Sequence, residues 1–215
     1  MTTESIHLSR KEREEAFRRD LVLDIAEALF AEKGFDGTTV SEIADKAELA
    51  KGSLYQLFES KQEIVHAIVR RKVSGVIEDV NRIFSLDIEP IDKILMLIET
   101  KLSKIWESRD FARLFITEFH GFNWHMELPI LECAKCEIHS MFDDVEKVII
   151  EAQKKGQIRR DLEPRLVLAS MGGISNAILH IWLKTEQEMD LKKAISQVKE
   201  IFLNGVKEEK EVADR

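Results

Sequence analysis

Residues 38 to 61, TTVSEIADKAELAKGSLYQLFESK, constrain this chain more than any other stretch. Their apolar positions fall into two short helical runs joined by a tight turn, and a third helix begins at once. Thr39 can cap the first helix, with Glu42 three residues on as the partner of a capping box. Val40, Ile43, Ala44 and Ala47 form its inner face, and the two alanines let a second helix cross closely. That second helix, from Lys51 to Leu57, gives Leu54 and Phe58 to the same core at i, i+4 spacing. A helix of about seven residues does not persist alone in water, so packing has to hold it. Its outer face carries Lys51, Gly52, Ser53, Tyr55 and Gln56, small or polar groups suited to a duplex groove. Gly52 costs roughly 1 kcal/mol of helix propensity, which makes sense where a backbone has to approach a phosphate or base edge.

Two further residues sharpen the reading. Lys51 and Lys61 each open a helix, where the macrodipole disfavours a cation by a few tenths of a kcal/mol, and a phosphate between those helix ends reverses the sign. Tyr55, the only tyrosine of the chain, can pack its ring on the helix pair while its hydroxyl reaches a phosphate. Each also has an ordinary reading, as solvated lysines and a core tyrosine.

The segments LFAEKGFDGTTV, SEIADKA, KGSLYQLF and SKQEIV, from Leu29 to Val65, resemble the DNA-binding domain of the tetracycline-repressor (TetR/AcrR) family of bacterial transcriptional regulators. The resemblance implies that Thr38 and Thr39 touch phosphate, that Lys51, Gly52, Ser53 and Gln56 face the major groove, and that Tyr55 and Lys61 clamp the backbone. Three positions depart from the family pattern. Glu48 stands where a glycine is usual in the turn, Ala50 where a serine often caps the recognition helix, and Glu59 puts an acid beside the expected phosphates.

Composition fits a small regulator rather than a bulk polycation. The 215 residues carry a net charge of −8, and residues 1 to 62 are themselves acidic, with nine Lys/Arg against thirteen Asp/Glu. The signal for DNA is therefore local, resting on Arg10, Lys11, Arg13, Arg18, Arg19, Lys51 and Lys61. No run of about 18 apolar residues marks a membrane span, and the N-terminus lacks a signal peptide's apolar stretch, so a cytoplasmic protein is expected.

Elsewhere the sequence reads as helix after helix, with only three prolines and nine glycines as punctuation. Ser9 with Glu12 opens a first helix that stops at Gly34, Ser60 with Glu63 opens the fourth, and Gly156 ends another. The expectation is an all-α chain of about nine helices. Residues 1–62 form a three-helix helix-turn-helix domain, and residues 63–215 a helical ligand-binding and dimerisation domain.

The last two long helices carry two stripes. Leu166, Ala169, Ser170, Gly173, Ala177, His180 and Ile181 form one, and Ile195, Val198, Ile201 and Phe202 the other. Both are expected to meet their copies in an isologous four-helix interface, or else to pack inward. A two-fold homodimer presents two recognition helices to successive major grooves of a palindromic operator.

The sensor is expected in the middle helices. Phe111, Phe115, Phe119 and Phe122 make an aromatic stripe beside Trp106, Trp124 and Trp182, with His120, Asn176 and His180 as polar candidates. The stripe is either ordinary core or the lining of a pocket for a small apolar or amphipathic effector. Trp106, Phe115, Phe119, His120, Phe122, Asn176 and His180 are the candidate ligand contacts.

Cys133, Cys136 and His139 suggest a metal cluster, but on a helix the outer two lie about 9 Å apart along the axis, too far to share one ion. No metal, cofactor or catalytic constellation is expected, and a lone E-x-x-H, Glu63 to His66, does not make a di-iron site. The leading expectation is a ligand-released repressor. A DNA-binding regulator without an effector, and a redox or metal sensor using Cys133 and Cys136, stand as alternatives.

Overall fold

The computed structural model describes residues 9–107, 134–184 and 190–207. Among these, eight helices and no strand occur: α1 Arg10–Gly37, α2 Val40–Lys46, α3 Lys51–Leu57, α4 Lys61–Phe84, α5 Pro90–Glu107, α6 Lys135–Lys154, α7 Pro164–Lys184 and α8 Leu191–Val206. The stretch carrying the Phe111 to Phe122 stripe lies outside the described residues. The all-α reading holds, and the chain forms two compact units that meet within α4, one reaching Arg71 and the other starting at Lys72.

In the first unit, α1 opens with the capping box read from sequence. The Glu12 amide donates to Ser9 Oγ at 3.2 Å, and the Ser9 amide donates to Glu12 Oε2 at 2.7 Å. The hydrogen bonds from Ser9 hold the Glu12 carboxyl below its ordinary pKa. Helical geometry breaks at Gly34, with φ 75° and ψ 169°, before one last turn ends at Gly37. Val22, Ala26, Leu29 and Phe30 of α1 are buried, as are Ile43 and Ala44 of α2, Ala47 that caps it, Leu54 of α3, Phe58, and Ile64 and Ile68 of α4. This shared core supports α3 as the sequence required.

The turn between α2 and α3 is a Schellman motif. The Leu49 amide donates to the Ala44 carbonyl at 2.9 Å and the Glu48 amide to that of Asp45 at 3.1 Å. Closing it puts Glu48 at φ 55°, the left-handed region where glycine is usual. The end of α6 repeats the motif with glycine in place: the Gln157 amide donates to Ala152, the Gly156 amide to Gln153, and Gly156 has φ 69°.

In the second unit, α5 packs against α6, α7 and α8. Its core gathers Ile94, Ile98 and Leu102 of α5, Val145 and Ile149 of α6, Val167 and Met171 of α7, and Val198 and Phe202 of α8. Here one expectation is corrected. Ile195, Val198 and Phe202 do not form an outward stripe, because they fill the protomer's own core, and only Ile201 of that set stays exposed, at 63 %. On α7 the opposite holds: Leu166, Ser170, Ala177 and Ile181 are exposed, with Ala169, Gly173 and His180 half-buried.

Candidate nucleic-acid interface

The recognition helix α3 is held from one side and bare on the other. Leu54 is fully buried while Lys51, Gly52, Tyr55 and Gln56 are exposed and Ser53 half-buried. At its N-terminus Ala50 is the cap residue and supplies no side-chain hydrogen bond. At its C-terminus Arg19 of α1 lays its guanidinium 4.2 Å from the centroid of the Phe58 ring and donates to the Leu57 carbonyl. Arg19 also lies 3.8 Å from Glu63 of α4. This side chain positions the helix, a role the sequence reading missed when it counted Arg19 toward DNA. The signal available was the i, i+39 pairing of a basic and an aromatic residue, which no local pattern exposes.

Gly52 has no structural reason to be glycine. Its φ is not in the left-handed region, and a Cβ built there meets nothing within 4 Å. The propensity cost is thus not offset by any contact among the described residues.

Thr38 and Thr39 part company. Thr39 is exposed and caps α2, accepting from the Glu42 amide at 3.2 Å. The Glu42 carboxylate does not return to the cap, as the expected box required. It pairs instead with Lys33 of α1, whose hydrogen bond lowers the Glu42 pKa and raises that of Lys33. Thr38 is 1 % exposed, and its hydroxyl donates to the carbonyls of Gly34 at 2.9 Å and Leu29 at 3.2 Å. In this arrangement Thr38 staples the broken end of α1, and its hydroxyl is not presented to a phosphate. At the start of α4, the Glu63 amide donates to Ser60 Oγ at 3.1 Å, while the Glu63 carboxylate accepts from the Glu59 amide and not from that of Ser60.

Lys61 is half-buried and points at the same staple. Its Nζ donates to the Phe35 carbonyl at 2.6 Å and the Thr38 carbonyl at 2.9 Å, and sits 4.1 Å from the Phe35 ring centroid. An ammonium has three donors, so one remains for a phosphate. A further cluster ties α4 to α1: Arg71 lies 2.8 Å from Asp24, 3.3 Å from the buried Glu27 and 3.9 Å from Asp20.

The candidate ligand contacts are only partly described. Phe115, Phe119, His120 and Phe122 lie outside the described residues, as do Phe111, Trp124 and Cys133. Trp106 of α5 packs on the buried Trp182 of α7, with ring centroids 4.9 Å apart at 40°, so the two elements expected to border the sensor meet there. Asn176 and His180 are half-buried on α7. Cys136 and His139 are exposed on α6, and no group of three metal-ligating side chains occurs among the described residues.

Residues 22–68 match the family model described as bacterial regulatory proteins of the tetR family, and residues 69–205 match that of the YsiA-like protein C-terminal region. The chain belongs to the TetR family. It is accordingly a DNA-binding transcriptional regulator and not an enzyme. Among similar proteins, the fatty acid metabolism regulator protein of Bacillus subtilis (strain 168) is 23 % identical over 185 residues, covering 86 % of this chain and 93 % of the relative. The HTH-type transcriptional repressor KstR2 of Mycolicibacterium smegmatis is 25 % identical over 191 residues, 89 % and 91 % of the two chains. A solved Clostridium perfringens structure, assigned as a fatty acid metabolism regulator, is 28 % identical with a TM-score of 0.73, covering 88 % of this chain and all of that one. The fold is also shared by Bacillus subtilis FadR in complex with stearoyl-CoA, at 21 % identity and a TM-score of 0.73, over 86 % and 98 % of the chains. Among the described residues no helix is long and apolar enough to cross a membrane.

Proposed function

We propose that this TetR-family regulator is a cytoplasmic, homodimeric repressor, released from a palindromic operator by a small apolar or amphipathic effector. Residues 1–62 read DNA, and residues 63–215 bind the effector and pair the protomers. Lys51, Gly52, Ser53 and Gln56 face the major groove, with Thr39, Tyr55 and the third donor of Lys61 on the phosphates. The observation that carries the DNA reading is Gly52, a costly residue on a packed helix with open space where its side chain would be. The exposed α7 stripe supports pairing through α7, and Ile201 of α8 is exposed as well. The names of the relatives, regulators of fatty acid metabolism and a repressor, support repression and an acyl-type effector. They favour this reading over an effector-free regulator or a sensor built on Cys133 and Cys136. On that reading, Trp106, Asn176 and His180 border the effector with Phe115, Phe119, His120 and Phe122.

Gly52→Ala tests the assignment. It should raise stability by about 1 kcal/mol and yet weaken operator binding, measured by urea titration and by fluorescence anisotropy on the same preparation. Parallel titrations of Lys51→Ala and Gln56→Ala separate the two contact types. The first should lose affinity on every sequence, and the second should change preference at one half-site position by about 1–3 kcal/mol. Operator affinity unchanged in all three variants would remove α3 from the groove.

A further inference from the structure

Helix α3 has seven residues and little of its own to hold its ends. Ala50 gives it no side-chain cap, no acid stands in its first turn and no base in its last. The final carbonyls of any helix lack intrahelical donors and need partners from elsewhere. The Leu57 carbonyl finds one in Arg19, 38 residues back on α1. The same guanidinium lies over the ring of Phe58, 4.2 Å from its centroid, and that ring is 1 % exposed. It also stands 3.8 Å from the Glu63 carboxylate in the first turn of α4, which in turn accepts from the Glu59 amide. One half-buried side chain of α1 thus reaches the last carbonyl of α3, the ring that follows it and the start of α4. A planar fork can stack and donate sideways at once, as an ammonium cannot, and its charge faces the negative end of the α3 dipole.

The far end of α3 is where such a hold matters. Lys51 and Leu57 lie about 9 Å apart along the helix axis. A tilt of about 5° about the Leu57 end displaces the Lys51 end by about 0.8 Å, whereas N–H···O hydrogen bonds occupy a window of donor–acceptor distance only about 0.5 Å wide. Contacts to base edges fail under such a shift, while a long lysine on a phosphate follows it.

We infer that Arg19 is a positioning residue for sequence discrimination: it sets the angle of α3 against α1 and α4, and it touches neither base nor phosphate. The inference rests on the reading of α3 as the recognition helix given above and adds the residue that aims it. Specific and non-specific binding are then separable at Arg19, because the first depends on the angle of α3 and the second on charge alone.

Titrations on two duplexes test it. The unaltered protein first selects an operator from a randomised duplex library. Fluorescence anisotropy then measures binding of the unaltered chain, Arg19→Met and Arg19→Lys to that operator and to a scrambled duplex of equal length, across a range of salt. Circular dichroism sets a temperature at which each chain is fully folded. Arg19→Met should lower the ratio of operator to scrambled affinity by about tenfold or more, the loss of one good base contact. Its affinity for the scrambled duplex should stay within about twofold, and the salt slope should not change, because no phosphate contact is removed. Arg19→Lys keeps the charge without the fork and should still lose about threefold or more in the ratio; it carries the test alone if Arg19→Met does not fold. A ratio unchanged in the folded variants would make Arg19 a stabiliser only, and a salt slope smaller by about one would make it a phosphate contact. Either result overturns the inference while α3 remains the reader. If the library yields no preferred duplex, or if Lys51→Ala and Gln56→Ala bind the selected one as the unaltered chain does, the reading of α3 falls and the inference with it.

Discussion

Lys61 Nζ donates to the carbonyl of Thr38 at 2.9 Å, joining the first turn of α4 to the segment that follows the break in α1. With Phe35 as the second acceptor, one ammonium satisfies two carbonyls of a chain reversal. Lys61→Met should therefore lower stability by about 1–3 kcal/mol, the cost of leaving such acceptors unmet. Urea unfolding followed by circular dichroism measures it. A lysine acting on phosphate alone would leave the unfolding midpoint where it was and change only the salt dependence of operator binding.

Thr38→Val is a near-isosteric test of the neighbouring staple. Removing the hydroxyl deprives the Leu29 and Gly34 carbonyls of a donor in a buried position, and the expected loss is about 1–3 kcal/mol. Operator affinity, measured well below the unfolding transition, should fall little, because Thr39 and not Thr38 faces outward. A large affinity loss with an unchanged midpoint would return Thr38 to the DNA surface.

Glu48→Gly should stabilise the protein. The two Schellman turns have the same hydrogen bonds, and only the one at Gly156 has a residue without a Cβ in the left-handed position. Relief of left-handed strain is worth about 1–2 kcal/mol, less about 0.5–1 kcal/mol for the added freedom of the unfolded chain. The net gain of about 0.5–1 kcal/mol should appear as a higher urea midpoint at constant slope. A lower midpoint would mean that the Glu48 side chain makes a compensating contact.

Ala177→Arg should separate the protomers. The residue is exposed on α7, so the substitution should leave helix content intact and yield monomers by light scattering, with operator binding lost. Val198→Asp is the contrast: the site is 2 % exposed, and a buried carboxylate there should cost several kcal/mol and unfold the second unit. A dimer that survives Ala177→Arg would place the interface off α7.

Much of this was legible in the residue order, for local reasons. Ser9 with Glu12, the stop at Gly156 and the bounds of α3 follow from chemistry within a few residues along the chain. The failures share a cause. Ile195, Val198 and Phe202 are apolar whether they face a partner or their own core, and hydrophobicity does not say which. Thr38 and Arg19 are polar whether they meet DNA or a carbonyl many residues away.

The inward turn of Ile195, Val198, Phe202 and Val206 completes each protomer's core without help from a neighbour. Folding is therefore expected to be separable from pairing, and dilution should yield a folded monomer by circular dichroism and light scattering. For the proposed dimer, the pool of operator-competent molecules then grows with the square of copy number at low expression. A modest change in synthesis would then translate into a sharper change in promoter occupancy, because α8 spends those four residues on its own protomer's core.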